Sequence, residues 1–285
     1  MSQGPDQRPL AYPTALFYDR QADELYVVDA GNNRLVLFNH NGYPTDAVGR
    51  GRGLENIISG MRYEKKLYVC CGSSQTFSAG HISILDNAFF PEQQVVLDQK
   101  SRGESSAVAR QVMAGTNDAF YVLRSGENGV AVFDRSWKFL RQIVPHYEHL
   151  GVREPAEIVR ITRDQNGRLY FLSEQWGRIF VYDTDETFLF SFGDKGGDSG
   201  KLARARGIAV DDLHDRIYVS DYLRHTVLVY DLTGQWLYEI GGKGTRPGSL
   251  FYPSSLCLDG DGVLYVADTF NHRVQIFSIQ PREGG

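Results

Sequence analysis

The stretch IYVSDYLRHTVLVYD at residues 217–231 decides the fold, and it recurs as LYVVDAGNNRLVLFN at 25–39 and as LYVADTFNHRVQIFS at 264–278. Each copy contains two short runs rich in Val, Ile, Tyr and Phe that flank a polar segment with Asp, Asn or His. This pattern is typical of two β-strands joined by a turn. A helical period of 3.6 is not sustained over a dozen residues anywhere in the chain. The repeated unit is therefore a pair of antiparallel strands.

Three looser copies complete a series of six, each anchored by a tyrosine in its first run. In five copies an aromatic residue ends the next run 12 positions after the anchor, whereas in the second copy 17 positions separate Tyr68 from Leu85. Further apolar runs precede and follow most copies, so each unit holds four strands, and the anchors lie 42 to 53 residues apart. Units of this size are the blades of β-propellers. We predict an all-β, six-bladed β-propeller of four-stranded antiparallel blades, with residues 1–285 forming a single domain. The anchors are Tyr26, Tyr68, Tyr121, Tyr170, Tyr218 and Tyr265.

The two ends of the sequence suggest how the ring closes. Twenty residues follow Tyr265, which is enough for a third strand of the last blade but not for a fourth. Residues 5–11 precede the innermost strand of the first blade. We expect this N-terminal segment to complete the last blade, because such pairing would remove an open sheet edge.

Composition limits the classes of function. Hydrophobic residues make up 42% of the chain and charged residues 23%, as in ordinary globular proteins. The formal net charge of −5 argues against a surface built throughout for nucleic acid or anionic lipid. Apolar runs are too short for a membrane span, and the first residues lack the apolar core of a signal peptide. We expect no membrane insertion and a cytoplasmic location, or an extracytoplasmic one if a leader has been removed.

The copies at 25–39, 217–231 and 264–278 resemble NHL repeats, as do the glycine-rich connections at 193–211 and 241–259. The resemblance extends over nearly the whole chain and implies a six-bladed propeller. It implies little about activity, because NHL proteins include RNA-binding TRIM-type proteins, sensor-kinase ectodomains, scaffold modules and an amidating lyase. That lyase is metal-centred and draws histidines from several blades, and this chain places no equivalent set of histidines around the channel.

Three aspartates occupy the same repeat position in neighbouring blades, three residues after the anchor: Asp29, Asp221 and Asp268. Converging carboxylates could hold a hard cation, so calcium is the candidate ion, and no other cofactor is expected. The alternative is that each aspartate bonds to the backbone of its own turn. The NHL resemblance favours this alternative, because such an aspartate is part of the repeat.

Arginines form a second candidate site. Several fall near the inner faces of blades three to five, where guanidinium groups would attract an anionic ligand or an acidic loop of a partner. They could instead pair with Glu157, Glu174 and Asp211. The candidates are Arg110, Arg124, Arg160, Arg204 and Arg206.

Two aromatic residues lie in the turns that follow anchor strands. Phe77 belongs to the five-residue insertion of blade two and is expected to be an exposed anchor for a partner, and Trp176 occupies the corresponding turn of blade four. Trp176 could equally pack on a neighbouring blade. His146 and His149 have a spacing seen in metal sites, but a solvated loop is the preferred interpretation because further ligands are missing.

The favoured function is that of a non-enzymatic binding or scaffold propeller, which meets a protein partner or an anionic ligand through the loop face bearing Phe77, Trp176 and the arginines. The alternative is a metal-dependent lyase or hydrolase with its site at the channel mouth, at the three aspartates or at His146 and His149. RNA binding is a third hypothesis, suggested by the TRIM-type relatives and disfavoured by the acidic balance.

Overall fold

The computed structural model describes residues 1–97, 107–116, 118–149 and 151–278. In these ranges the chain forms β-strands and three short 3₁₀ turns, at Ala30–Asn32, Arg50–Arg52 and Thr269–Asn271. The described part of the chain contains no helix with the length and apolar character needed to cross a membrane.

Six sheets with their strands in sequence order form the blades, which confirms the predicted fold class. Blade one consists of β1 (Pro13–Asp19), β2 (Glu24–Asp29), β3 (Arg34–Asn39) and β4 (Pro44–Gly49). Blade two consists of β5 (Ile57–Tyr63), β6 (Lys66–Cys71), β7 (His81–Leu85) and β8 (Pro91–Val95). Blade three consists of β9 (Ala109–Ala114), β10 (Phe120–Arg124), β11 (Val130–Phe133) and β12 (Phe139–Ile143).

A two-stranded hairpin, β13 (His146–His149) and β14 (Val152–Pro155), is inserted before blade four. Blade four consists of β15 (Arg160–Arg163), β16 (Leu169–Ser173), β17 (Arg178–Tyr182) and β18 (Phe188–Phe192). Blade five consists of β19 (Ala205–Asp211), β20 (Arg216–Asp221), β21 (Thr226–Asp231) and β22 (Trp236–Gly241). Blade six has three strands, β23 (Pro253–Leu258), β24 (Leu264–Asp268) and β25 (Arg273–Phe277).

The hydrophobic core is divided into six clusters, each between two neighbouring blades. Tyr26, for example, packs with the apolar residues of blade two, and Tyr218 packs with those of blade six. All six anchor tyrosines are buried in such clusters, which explains why the repeat keeps them. Burying these rings on the facing sheets supplies the apolar stabilisation that joins the blades.

The ring closes between the sixth and the first blade. Tyr265 of blade six shares a core cluster with Leu16 and Val27 of blade one, and strand β23 lies against β1. The inner strands therefore surround a central channel, in the order β1, β5, β9, β15, β19 and β23.

The expected fourth strand of blade six from residues 5–11 is not confirmed. Those residues form no strand, and Pro5 and Pro9 have no backbone N–H to donate to one. The N-terminus nevertheless contacts the last strand, because Met1 and Val274 exchange two backbone hydrogen bonds of 3.0 and 2.9 Å.

Candidate functional site

A β-bulge recurs at the second residue of the inner strand in five blades, and it determines which side chains line one end of the channel. The register of the inner strand shifts at Thr14, Ile58, Arg110, Arg206 and Ser254. A bulge leaves one residue outside the ladder and turns its side chain away from the regular alternation. All five bulged residues border the same cavity, which we call the mouth.

The mouth is a cavity of about 310 Å³ on the face formed by the loops before the inner strands and the turns between the second and third strands. One side of it is cationic and the other is neutral. The cationic side comprises Arg110, Arg160, Arg204 and Arg206, and the remainder comprises Thr14, Ile58, Val159, Tyr222 and Ser254. Four of the five predicted arginines thus meet in one place.

The positive charge of the mouth is only partly neutralised. Glu174 accepts ion pairs from Arg204 at 2.9 Å and from Arg206 at 3.2 Å. Arg110 and Arg160 form no ion pair with any carboxylate in the described part of the chain. Among the described residues, four guanidinium groups therefore face one paired carboxylate, which leaves a surplus of three positive charges.

Among these arginines, Arg160 has the pKa that is shifted furthest from the usual arginine value. Burial, and then the neighbouring charges of Arg110 and Arg206, lower the pKa of Arg160 to about 10. Its Nε donates a hydrogen bond of 3.2 Å to the backbone carbonyl of Arg206. Burial also lowers the pKa of Arg206. A partly desolvated cation beside two like charges is stabilised by an anion more strongly than a surface arginine would be.

Arg160 also borders a second cavity of about 300 Å³, which continues along the channel and is lined by residues of the inner strands. It therefore lies at the junction between the mouth and the channel interior. A group that entered the mouth along the axis would meet this guanidinium.

Arg124, the fifth predicted arginine, lies elsewhere. Its Nη2 is 2.5 Å from Glu127, and its guanidinium lies over the rings of Phe133 and Phe139, at 5.8 and 5.9 Å from their centroids. Arg124 is the last residue of β10, a second strand of its blade, and it does not line the mouth.

Of the carboxylates expected to pair with the arginines, Glu174 does so. Asp211 instead bonds to His214, whose Nδ1 lies 2.8 Å away. Glu157 is exposed and, in the part of the chain that the structure describes, forms no ion pair with the arginines of the mouth.

The three aspartates are fully buried, and the carboxylate of each one bonds to groups of its own blade. Asp29 and Asp268 each accept 2.7 Å hydrogen bonds from the Nε of a following arginine, Arg34 and Arg273. The carboxylate of Asp221 accepts from the backbone N–H groups of residues 203, 204, 223 and 224. In each blade the carboxylate thus joins the loop before the inner strand to the turn after the second strand.

The structure does not bring the aspartates together. In the described ranges no three His, Cys, Asp or Glu side chains form a group that could hold a metal ion. His146 and His149 lie in strand β13 of the inserted hairpin, where their backbones pair with Pro155 and Val152.

Phe77 and Trp176 are both partly buried and pack on neighbouring groups. The ring of Phe77 lies 4.6 Å from that of His81, so it is less accessible than the exposed anchor expected from the sequence. Within the insertion, the backbone N–H of Phe77 donates to the hydroxyl of Ser74, and the backbone N–H of Ser74 donates to the carbonyl of Phe77, so the segment forms a local turn. Trp176 packs at 4.9 Å on Tyr147 of the inserted hairpin.

Sequence reasoning missed Thr14, Ser254 and Tyr222. Thr14 and Ser254 stand 12 and 11 residues before their anchor tyrosines, as Arg206 stands 12 before its own. Comparison of that repeat position in all six copies would have found the neutral side of the mouth. Tyr222 follows the aspartate of blade five directly and could have been found in the same way.

Comparisons with known proteins agree with this architecture. A family model described as NHL repeat matches residues 252–277, and one described as a 6-bladed beta-propeller matches residues 149–240. Protein brain tumor of Drosophila melanogaster is 28% identical over 90 residues, which are 30% of this chain and 8% of that protein. The chain thus aligns with less than a tenth of that relative's length.

Solved structures share the fold at low sequence identity. Hydrazine synthase of Kuenenia stuttgartiensis superposes with a TM-score of 0.65 at 12% identity, over 95% of this chain and 96% of that one. An auxiliary nutrient binding protein of Bacteroides thetaiotaomicron gives a TM-score of 0.69 at 12% identity, over 96% and 71% of the two chains. One of these neighbours is an enzyme and the other a binding protein, so the likeness shows the fold alone. With six blade sheets arranged in a closed ring and an NHL repeat matched at residues 252–277, this chain is a six-bladed β-propeller that carries an NHL repeat.

Proposed function

We propose that this chain is a binding propeller whose channel mouth receives a carboxylate of a protein partner. The observation that carries the proposal is the pair Arg110 and Arg160, two guanidinium groups at the mouth without a carboxylate of their own in the described part of the chain. Gathering like charges in a cavity destabilises a folded protein unless a ligand compensates.

The geometry of the mouth suits a carboxylate ligand. Guanidinium groups offer planar pairs of donors that match a carboxylate, and in a partly desolvated cavity each such contact is stronger than on the open surface. The cavity of about 310 Å³ is large enough for an acidic side chain or a chain end, but not for a folded domain. The scaffold modules among NHL proteins support a protein as the source of this group.

The experiment is a titration of the protein with a fluorescein-labelled hexaglutamate peptide, followed by fluorescence anisotropy at low salt. Arg160→Met and Arg110→Gln are each expected to weaken binding about tenfold, equivalent to about 1.4 kcal/mol. Arg246→Gln removes an exposed arginine outside the mouth and is the charge-matched control.

Equal losses in Arg246→Gln and Arg160→Met would show that only the net charge matters and would reject the mouth as the site. Tight binding of a hexalysine peptide would reject the proposal as well. Each variant should keep the far-UV circular dichroism of the parent, so that a loss of binding is not a loss of fold.

A further inference from the structure

A continuous aromatic surface extends outward from the mouth across blades five, six and one. We define the aromatic shelf as Tyr12, Tyr222, Tyr252 and Phe270. Ring centroids are 4.7 Å apart between Tyr222 and Tyr252, 4.9 Å between Tyr252 and Phe270, and 5.5 Å between Phe270 and Tyr12. Tyr12 is 45% and Phe270 is 41% exposed, which is unusual for large rings that lie side by side.

The shelf is held in place by contacts between blades. The backbone N–H of Tyr252 donates to Nδ1 of His225 at 3.0 Å, and that of Tyr12 donates to Nδ1 of His272 at 3.1 Å. Both tyrosines adopt left-handed backbone conformations, with φ of 56° and 50°. Asn56 has the same conformation, with φ of 49°, in the equivalent contact with Asn33, so this backbone geometry is a feature of the repeat that positions both rings.

The shelf is continuous with the mouth through one residue. Tyr222 lines the mouth, and its ring lies beneath the guanidinium of Arg204 at 5.4 Å from the centroid. Arg204 is in turn paired with Glu174, which also contacts Arg206. A ligand that reached the unpaired arginines from this side would therefore cross aromatic surface first.

We propose that the mouth and the aromatic shelf form one composite site for an acidic–aromatic peptide segment of a protein partner. The inference rests on the proposed function. An acidic side chain would bind Arg110 and Arg160, while an aromatic side chain a few residues away would stack on Phe270 and Tyr12. In an extended peptide, at about 3.3 Å per residue, such neighbours can reach adjacent subsites.

The charge distribution favours a peptide over a nucleic acid. Single-stranded nucleic acids bind along a track of cations that follows the backbone, with aromatic rings beside the track. Here the four residues of the shelf are uncharged, the unpaired cations are gathered in the mouth, and the formal net charge is −5. Aromatic rings are also the side chains most enriched at the centres of protein interfaces.

The test is selection of a displayed library of random 12-residue peptides on the immobilised full chain. Peptides with Asp or Glu within about four residues of Phe, Tyr or Trp should be enriched, as the extended spacing requires. A selected peptide should bind the double variant Phe270→Ala, Tyr12→Ala at least tenfold more weakly. That loss should disappear when the aromatic residue of the peptide is changed to alanine.

The outcomes separate this inference from the proposed function. Enrichment of acidic residues without aromatic ones, or unchanged affinity of the double variant, would overturn the composite site and leave the mouth as a carboxylate site. Selection without acidic residues would overturn both. Tighter binding of a mixed-sequence 12-nucleotide RNA through the same residues would assign the surface to nucleic acid instead. Leu213→Ala, at a residue 63% exposed in a turn of the opposite face, is the matched control.

Discussion

Replacing Arg160 with methionine should make the protein more stable while it removes a ligand of the proposed site. The guanidinium of Arg160 is held in the mouth beside two other arginines and without a carboxylate partner in the described ranges. Methionine keeps an unbranched side chain of similar reach, so the packing of the aliphatic part is retained. The substitution therefore isolates the effect of the charge.

The magnitude follows from the pKa. Because the pKa of Arg160 falls from the usual arginine value to about 10, the charged form costs the folded state up to about 3 kcal/mol, at about 1.4 kcal/mol per pH unit. Loss of the 3.2 Å hydrogen bond to the carbonyl of Arg206 removes about 1 kcal/mol. The net gain in the free energy of unfolding is about 2 kcal/mol. For 285 residues the entropy of unfolding is about 0.6 kcal/mol/K, so the melting temperature should rise by about 3 °C.

The assay is thermal unfolding at pH 7 and low salt, monitored by circular dichroism, with Arg246→Met as the charge-matched control. The control should lie within about 0.5 kcal/mol of the parent, because Arg246 is exposed. A melting temperature of Arg160→Met at or below that of the parent, with an unchanged control, would refute the reasoning. It would mean that this arginine stabilises the fold and is not held there for a ligand.

Two further substitutions test contacts between the loops and turns of this face. His225→Asn should remove a pH dependence of the stability. Burial lowers the pKa of His225, so just below pH 6.5 the unfolded state binds more protons than the folded state. The free energy of unfolding of the parent therefore falls as the pH is lowered through that range. Asparagine accepts a backbone hydrogen bond at the equivalent Asn33, so the variant should keep the contact to Tyr252. Its melting temperature should change less than that of the parent between pH 7 and pH 5. An equal change in both proteins would contradict this role of His225. Asp221→Ala should lower the free energy of unfolding by about 4 kcal/mol, because four backbone amides lose a buried charged acceptor. Asp46→Ala, at an exposed residue, should change it little. Equal effects of the two substitutions in chemical denaturation would disprove the structural role of Asp221.

The repeat alone was sufficient to predict the fold. Each copy carries its own turn residues and an anchor tyrosine such as Tyr26 or Tyr218, and the side chains that join blades recur at fixed spacing. The information is local and repeated six times, so the number and size of the blades follow from the period. The manner of closure did not follow, because the pairing of Met1 with Val274 depends on the meeting of two ends that are distant in sequence.

The candidate site was predicted in part. The sequence indicated an arginine group in blades three to five, but it could not separate Arg124, which pairs with Glu127, from Arg110 and Arg160, which lie at the mouth. For Asp29 the sequence offered metal binding and bonding within its own turn, and it favoured the second; in the structure its carboxylate accepts a hydrogen bond from Arg34 of the same blade.

The sequence by itself determined the six β units and the positions of their arginines, because strand patterns and turns are properties of short segments. Only the tertiary structure decided which arginines face a common cavity and which have a partner. The bulges that turn Arg110 and Arg206 toward the mouth, and the ring closure that places Tyr12 beside Phe270, exist only when distant strands pair and pack. Charge balance and exposure at the mouth are properties of that assembly, and no single repeat contains them.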